Sequence, residues 1–214
     1  MSVSGQTWSG WCGPKMKIYL LNGINDSIAT TTGLLVPHFR AAGYDVQHLY
    51  RPTSRSWFSR SKTYLETTAD HLLLQLGNKD GKTCMVAHSQ GCLQTYHMMR
   101  RSVGMPFDYL VFISPAMNRK GWRWERLPFT KMLVDYNPDD LAIWAGGILP
   151  LHPFGLAGCM GFKTTDPRIV QKSDSTLSDG FLGHNHYFHG ETARDTADMV
   201  DRFLGGPRFP NDVS

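Results

Sequence analysis

Three short apolar runs constrain this chain more than anything else in it: residues 16–21 (MKIYLL), 82–87 (KTCMVA) and 107–113 (FDYLVFI). A strand with one wet face alternates polar and apolar residues, whereas these runs are nearly continuous. They therefore read as strands covered on both faces, the habit of a parallel sheet. The segments between them have helical spacing. Across residues 61–76, Leu65, Ala69, Leu72, Leu73 and Leu76 fall along one face, and Gly77 and Asn78 end the pattern. Across residues 191–204, Ala193, Ala197, Val200, Phe203 and Leu204 share a face, with Gly205, Gly206 and Pro207 as terminators. Residues 31–42 and Gln90–Arg101 also read as helices, and residues 44–50, 131–135 and 168–172 as further strands. Residues 143–163 are rich in Gly and Pro and show no period. Strands alternating with helices specify an α/β layer architecture, here a mostly parallel central sheet of about six or seven strands with helices on both faces.

The 214 residues suit one domain, expected at 16–206, with an N-terminal arm at 1–15 and a tail at 207–214. Hydrophobic residues at 41% and charged residues at 19% are ordinary for a globular chain, so fibrous and disordered classes are set aside. The net charge of +4 is mild. Arg51, Arg55, Arg60 and Lys62 form a local basic stretch, read as a solvated loop, with attraction of an anionic substrate or surface as the alternative. No zinc finger, RNP signature or long basic helix occurs, so nucleic acid is not an expected partner. No apolar stretch approaches a membrane span, and the polar start, with Trp8 and Trp11, does not read as a signal peptide. The arm around Trp8 and Trp11 could dock over the site or bind a partner, a reading left open without support from its residues. Of the four cysteines, Cys12, Cys84, Cys92 and Cys159, none makes a CxxC, and Cys84 and Cys92 read as small buried hydrophobes. The expected location is cytoplasmic.

The chemistry begins where the run at 82–87 passes directly into a helix, through Ala87-His88-Ser89-Gln90-Gly91. Turning from strand to helix within about two residues strains the backbone at Ser89 and crowds it against its neighbours. Small residues at 87 and 91 keep that space open, and the serine hydroxyl is lifted to the C-terminal edge of the sheet. Ser89 is the candidate nucleophile, against the plainer reading of a capping serine. The segment resembles the nucleophile elbow of the α/β-hydrolase superfamily, with Ala87 in place of the usual first glycine. The resemblance runs from about Lys17 to Leu204 and points to no particular enzyme.

That resemblance implies an acid after a later strand and a histidine near the C-terminus. After residues 131–135, the turn signal Asn137-Pro138 puts Asp139 and Asp140 just beyond the strand end. The arrangement Asn-x-x-Asp-Leu-Ala is similar to the acid loop of some family members and favours Asp140, with Asp139 second and Asp135 third. The base comes from Gly183-His184-Asn185-His186-Tyr187. A family pattern of Gly-His-x-x-aromatic favours His184, with His186 as the alternative. The oxyanion hole needs two backbone N–H groups. Gln90 at the helix start would supply one, and Ile24 in the loop after the first strand the other, with Gly23 allowing close approach.

His184, His186 and His189 with Asp179 could also ligate zinc or nickel, but no metalloenzyme signature accompanies them, so no metal and no cofactor is expected. The expected function is a serine hydrolase acting on a small-molecule carboxylic ester or thioester through an acyl-enzyme. An amidase or peptidase using the same triad, and an inactive binding protein of the same fold, are the alternatives. Trp57, Phe58, Trp122, Trp124 and Trp144 are candidates for a pocket lining, and residues 146–161 for a short cover over the site.

Overall fold

A computed structural model describes residues 16–23, 31–50, 61–148, 155–174 and 184–205. Its centre is a six-stranded sheet: β1 (Lys17–Leu21), β2 (Asp45–His48), β3 (Thr83–His88), β4 (Tyr109–Ile113), β5 (Lys131–Tyr136) and β6 (Ile169–Ser173). The spatial order is β2-β1-β3-β4-β5-β6, and every neighbouring pair is parallel. The continuous apolar runs have the cause expected of them. All six residues of β3 are buried, with one set of side chains on each side of the sheet.

Helices cover both faces. On one, α2 (Lys62–Leu74) and α3 (Gln90–Arg101) pack Leu65, Ala69, Leu72, Leu93 and Tyr96 against Tyr19, Met85 and Phe112. On the other, α1 (Val36–Ala41) and α6 (Gly190–Phe203) pack Phe39, Ala193, Ala197 and Val200 against Ile18, Leu20, Val86 and Val111. Fully burying one such aliphatic side chain stabilises the fold by about 1.5–3 kcal/mol. Helix α2 starts where Ser61 Oγ accepts the Tyr64 amide N–H at 3.2 Å, an N-cap.

Two elements differ from the sequence expectation. Residues 143–163, which show no period, nevertheless take helix: α4 (Leu141–Ile148) and the one-turn α5 (Ala157–Met160) lie within or against them. Gly147 within α4 serves packing. A side chain on Gly147 would run into the Leu156 side chain, and one on Gly155, beyond the helix, would run into the Met117 backbone. The strand expected at 107–113 begins only at Tyr109, because Phe107 turns into the core edge-on to the Tyr19 ring at 5.8 Å.

The order of strands locates the site. From β1 the chain moves outward to β2, then returns past β1 to β3, so connections leave β1 and β3 in opposite directions. In open α/β sheets a crevice forms beyond the carboxyl ends of the strands at such a point. Ser89 follows β3 there, and Asn22 and Gly23 follow β1 beside it.

Candidate active site

Ser89 has φ 54° and ψ −121°, a left-handed conformation outside the region L-residues favour. Only an over-determined surrounding keeps a residue there. The Ser89 N–H donates to Ile113 O at 3.0 Å, while its carbonyl accepts from Cys92 N at 3.2 Å and Ala116 N at 3.1 Å. Gly91 is required for a different reason. A Cβ at this position would lie 2.7 Å from Leu21 O and 2.8 Å from Asn22 O, both backbone atoms at the exit of β1. Within His88-Ser89-Gln90 only Ser89 retains surface, 8% against 0% for each neighbour.

Two strands away, Asn137 shapes the acid loop. Its Oδ1 accepts Asp139 N at 2.9 Å, its carbonyl accepts Asp140 N at 3.1 Å, and its own N–H donates to Gly158 O at 2.9 Å. This turn buries Asp140 completely. The two carboxylate oxygens of Asp140 then divide the work. Oδ1 accepts the Ile143 amide at 2.9 Å and so caps α4, while Oδ2 lies 2.6 Å from His184 Nδ1. A fully buried carboxylate needs such partners, because an unpaired charge in the interior is strongly unfavourable. Trp144 braces the same turn by donating its indole N–H to Pro138 O at 2.8 Å.

His184 comes from the segment after β6. Its side chain is 13% exposed, and its ring centroid lies 4.6 Å from that of His88, the residue before Ser89. The acid and the imidazole are thus bonded to each other, and the imidazole lies against the residue that precedes the strained serine. Asp139 is half-buried and Asp135 sits within β5 on the register of Ile113 and Lys172; neither has a bond to His184. Burial pushes the Asp135 carboxyl up to about 7, against the opposing pull of Lys172. His186, 2% exposed, packs its ring on Tyr187 at 3.8 Å, and His189 is exposed. No cluster of metal-ligating side chains occurs among the described residues. Ile24, Asp179, Gly183, Trp8, Trp11, Cys12, Trp57, Phe58, Arg51, Arg55 and Arg60 lie outside the described residues.

No protein-family model matches the sequence, and no curated protein matches it. Solved structures do. Alpha/beta hydrolase domain-containing protein 10 from mouse superposes with a TM-score of 0.59 at 9% identity, over 88% of this chain and 89% of that one. A pyrethroid hydrolase from Sphingobium faniae gives 0.56 at 13% identity, over 91% and 99%. A carboxylesterase from Mesorhizobium loti gives 0.51 at 14% identity, over 91% and 90%. The chain has the α/β-hydrolase fold.

Within the hydrolase fold, several residues have places that the sequence did not disclose. Trp124 is 2% exposed and stacks edge-on among Tyr96, Phe112 and Phe162, so it is a core residue and not a pocket lining. Trp122 packs on Tyr96 and donates its indole N–H to Asn118 O. Of the suspected cover, residues 146–148 end α4 and residues 155–161 are anchored against the body, with Ala157, Gly158 and Cys159 buried. Two further residues stand near the site. Ser114, with φ 42°, ends β4 and donates its N–H to Asp135 O at 2.9 Å; the Ser-Pro pair at 114–115 was the available signal. His88 lies within the elbow itself, and the 4.6 Å between its ring and that of His184 has no signal in the sequence.

Proposed function

We propose that this chain is a serine hydrolase cleaving a carboxylic ester or thioester, with Ser89 as nucleophile, His184 as general base and Asp140 as the residue that orients it. The observation carrying this reading is the 2.6 Å contact between His184 Nδ1 and the buried Asp140 Oδ2, on an imidazole whose ring lies 4.6 Å from that of His88, the residue before a serine held at φ 54°. With Nδ1–H donating to the carboxylate, Nε2 carries the lone pair and can take a proton. The Ser89 hydroxyl attacks the substrate carbonyl carbon as His184 accepts its proton. The tetrahedral intermediate collapses, and the leaving group departs with that proton. Water, deprotonated by the same imidazole, then attacks the acyl-enzyme and releases the acid.

The backbone N–H of Gln90, at the first position of α3, is the proposed donor to the developing oxyanion, with Ile24 as the second. Loss of one such donor raises the barrier by about 3 kcal/mol. The preference for esters is supported by the carboxylesterase and pyrethroid hydrolase among the structures of the same fold. A purely binding role would need neither the acid–imidazole pair nor the strained serine. No helix among the described residues is long and apolar enough to cross a membrane. The free, buried thiols of Cys84, Cys92 and Cys159 support a reducing, cytoplasmic setting.

Labelling with a fluorophosphonate probe tests this reading. The native protein should be modified at Ser89 and the Ser89→Ala variant should not. Absence of labelling in the folded native protein would overturn the enzymatic reading. Turnover of p-nitrophenyl esters well above that of matched anilides would support an esterase, and the reverse order an amidase.

A further inference from the structure

His88 takes no part in the chemistry above, yet it is wholly buried, next to Ser89 in the chain and with its ring against that of His184. Alternation along β3 places it with Cys84 and Val86 on the face covered by α1 and α6. Its ring meets the Phe188 ring edge-on at 4.8 Å and the His184 ring at 4.6 Å, inclined by 40°. Its Nε2 lies 3.3 Å from the carbonyl oxygen of His184. A carbonyl oxygen can only accept, so this contact requires the proton on His88 Nε2. The bond to Asp140 fixes one atom of the His184 imidazole, but one hydrogen bond leaves the ring free to swing about it. His88 supplies further restraints, on the main chain and on the ring face. Thr196 Oγ1 donates to Tyr187 O at 2.9 Å and holds the segment just beyond.

We propose that His88 is a positioning residue, whose Nε2–H and ring hold the backbone and imidazole of His184 over Ser89. The strand that carries the nucleophile would thereby also fix the base. The inference rests on the reading of His184 as that base.

Three variants test it, each checked for folding by circular dichroism. His88→Phe fills the ring volume without a donor, His88→Gln carries an amide nitrogen near the place of Nε2, and His88→Asn is too short to reach. Misplacing a catalytic group by about 1 Å lowers rates on the order of 100-fold. His88→Phe and His88→Asn should therefore lose about 10- to 100-fold in kcat with KM nearly unchanged, and His88→Gln should recover most of that loss. Proton NMR gives a readout independent of turnover. The downfield Nδ1–H resonance of His184 should broaden or vanish in His88→Phe and His88→Asn and persist in His88→Gln. Retention of both kcat and this resonance in His88→Phe, or in His88→Asn should the Phe variant not fold, would overturn the proposal. So would an equal loss in His88→Gln. Fluorophosphonate labelling of the native protein separately reports whether Ser89 is reactive, so failure of the enzymatic reading and failure of the positioning role give different results.

Discussion

The serine turn and the acid–histidine pair are built by opposite means. Ser89 is held almost wholly by main chain: its N–H and carbonyl bond to Ile113, Cys92 and Ala116, and the neighbouring glycine yields to the backbone of β1. Asp140 and His184, 44 residues apart, are joined through side chains. A main-chain site depends on the shape of the turn and tolerates few changes of size. A side-chain site depends on chemical identity, and a change of one atom type can silence it without disturbing the fold.

Asp140→Asn puts that contrast to its hardest test. The amide oxygen can still cap α4 at Ile143, but the NH₂ group faces Nδ1 and favours the wrong tautomer of His184. Activity should fall about 10⁴-fold, as comparable triad substitutions do, with little change in the urea midpoint. Asp140→Ala should lose both activity and about 1 kcal/mol of stability, because the cap goes as well. Equal urea midpoints for the two variants would break the assignment of the two oxygens.

Asp135 sharpens the comparison within the acid region. Its folded pKa of about 7 lies above the ordinary carboxyl value because it is buried. Between those values the folded state binds a proton that the unfolded state has released, so stability drains away as pH rises through that window and then levels off. Asp135→Asn removes the titration. Urea unfolding should show the variant stabilised by up to about 4 kcal/mol at pH 8, with little difference near pH 4. A larger gain at pH 4 than at pH 8 would contradict the sign.

At the turn, Gly91→Ala forces the exit of β1 away from α3. Overpacking of this kind destabilises by about 1–3 kcal/mol, and a fall in the urea midpoint should accompany slower labelling of Ser89. An unchanged midpoint would show that β1 gives way freely. The smallest effect belongs to Trp144→Phe. It removes the bond to Pro138 O, lowering stability by about 1 kcal/mol in a thermal melt while ester turnover stays within about twofold.

The same division explains what could be read from the sequence. The sheet was legible because β1, β3 and β4 are buried on both faces and carry continuous apolar runs. The serine turn was legible because strand, turn and helix are consecutive in the chain. The reach of Asp140 to His184 has no local signature, so the choice of those two from Asp139, Asp135 and His186 leaned on the resemblance. Helix α4 escaped notice because Gly146 and Gly147 argue against a helix in isolation, whereas the Asp140 cap and the contact with Leu156 favour it in place. Trp124 looked like a loop aromatic because the segment around it is rich in turn residues, and only tertiary packing buries it.

The shared carboxylate of Asp140 also links local melting to reactivity. Fraying of the first turn of α4 would leave one oxygen to seek water, and the aspartate could then rotate away from the imidazole. Amide hydrogen exchange at Ile143 and the rate of Ser89 acylation would then rise and fall in opposition as temperature or denaturant changes. Such a protein would go silent well before it came apart.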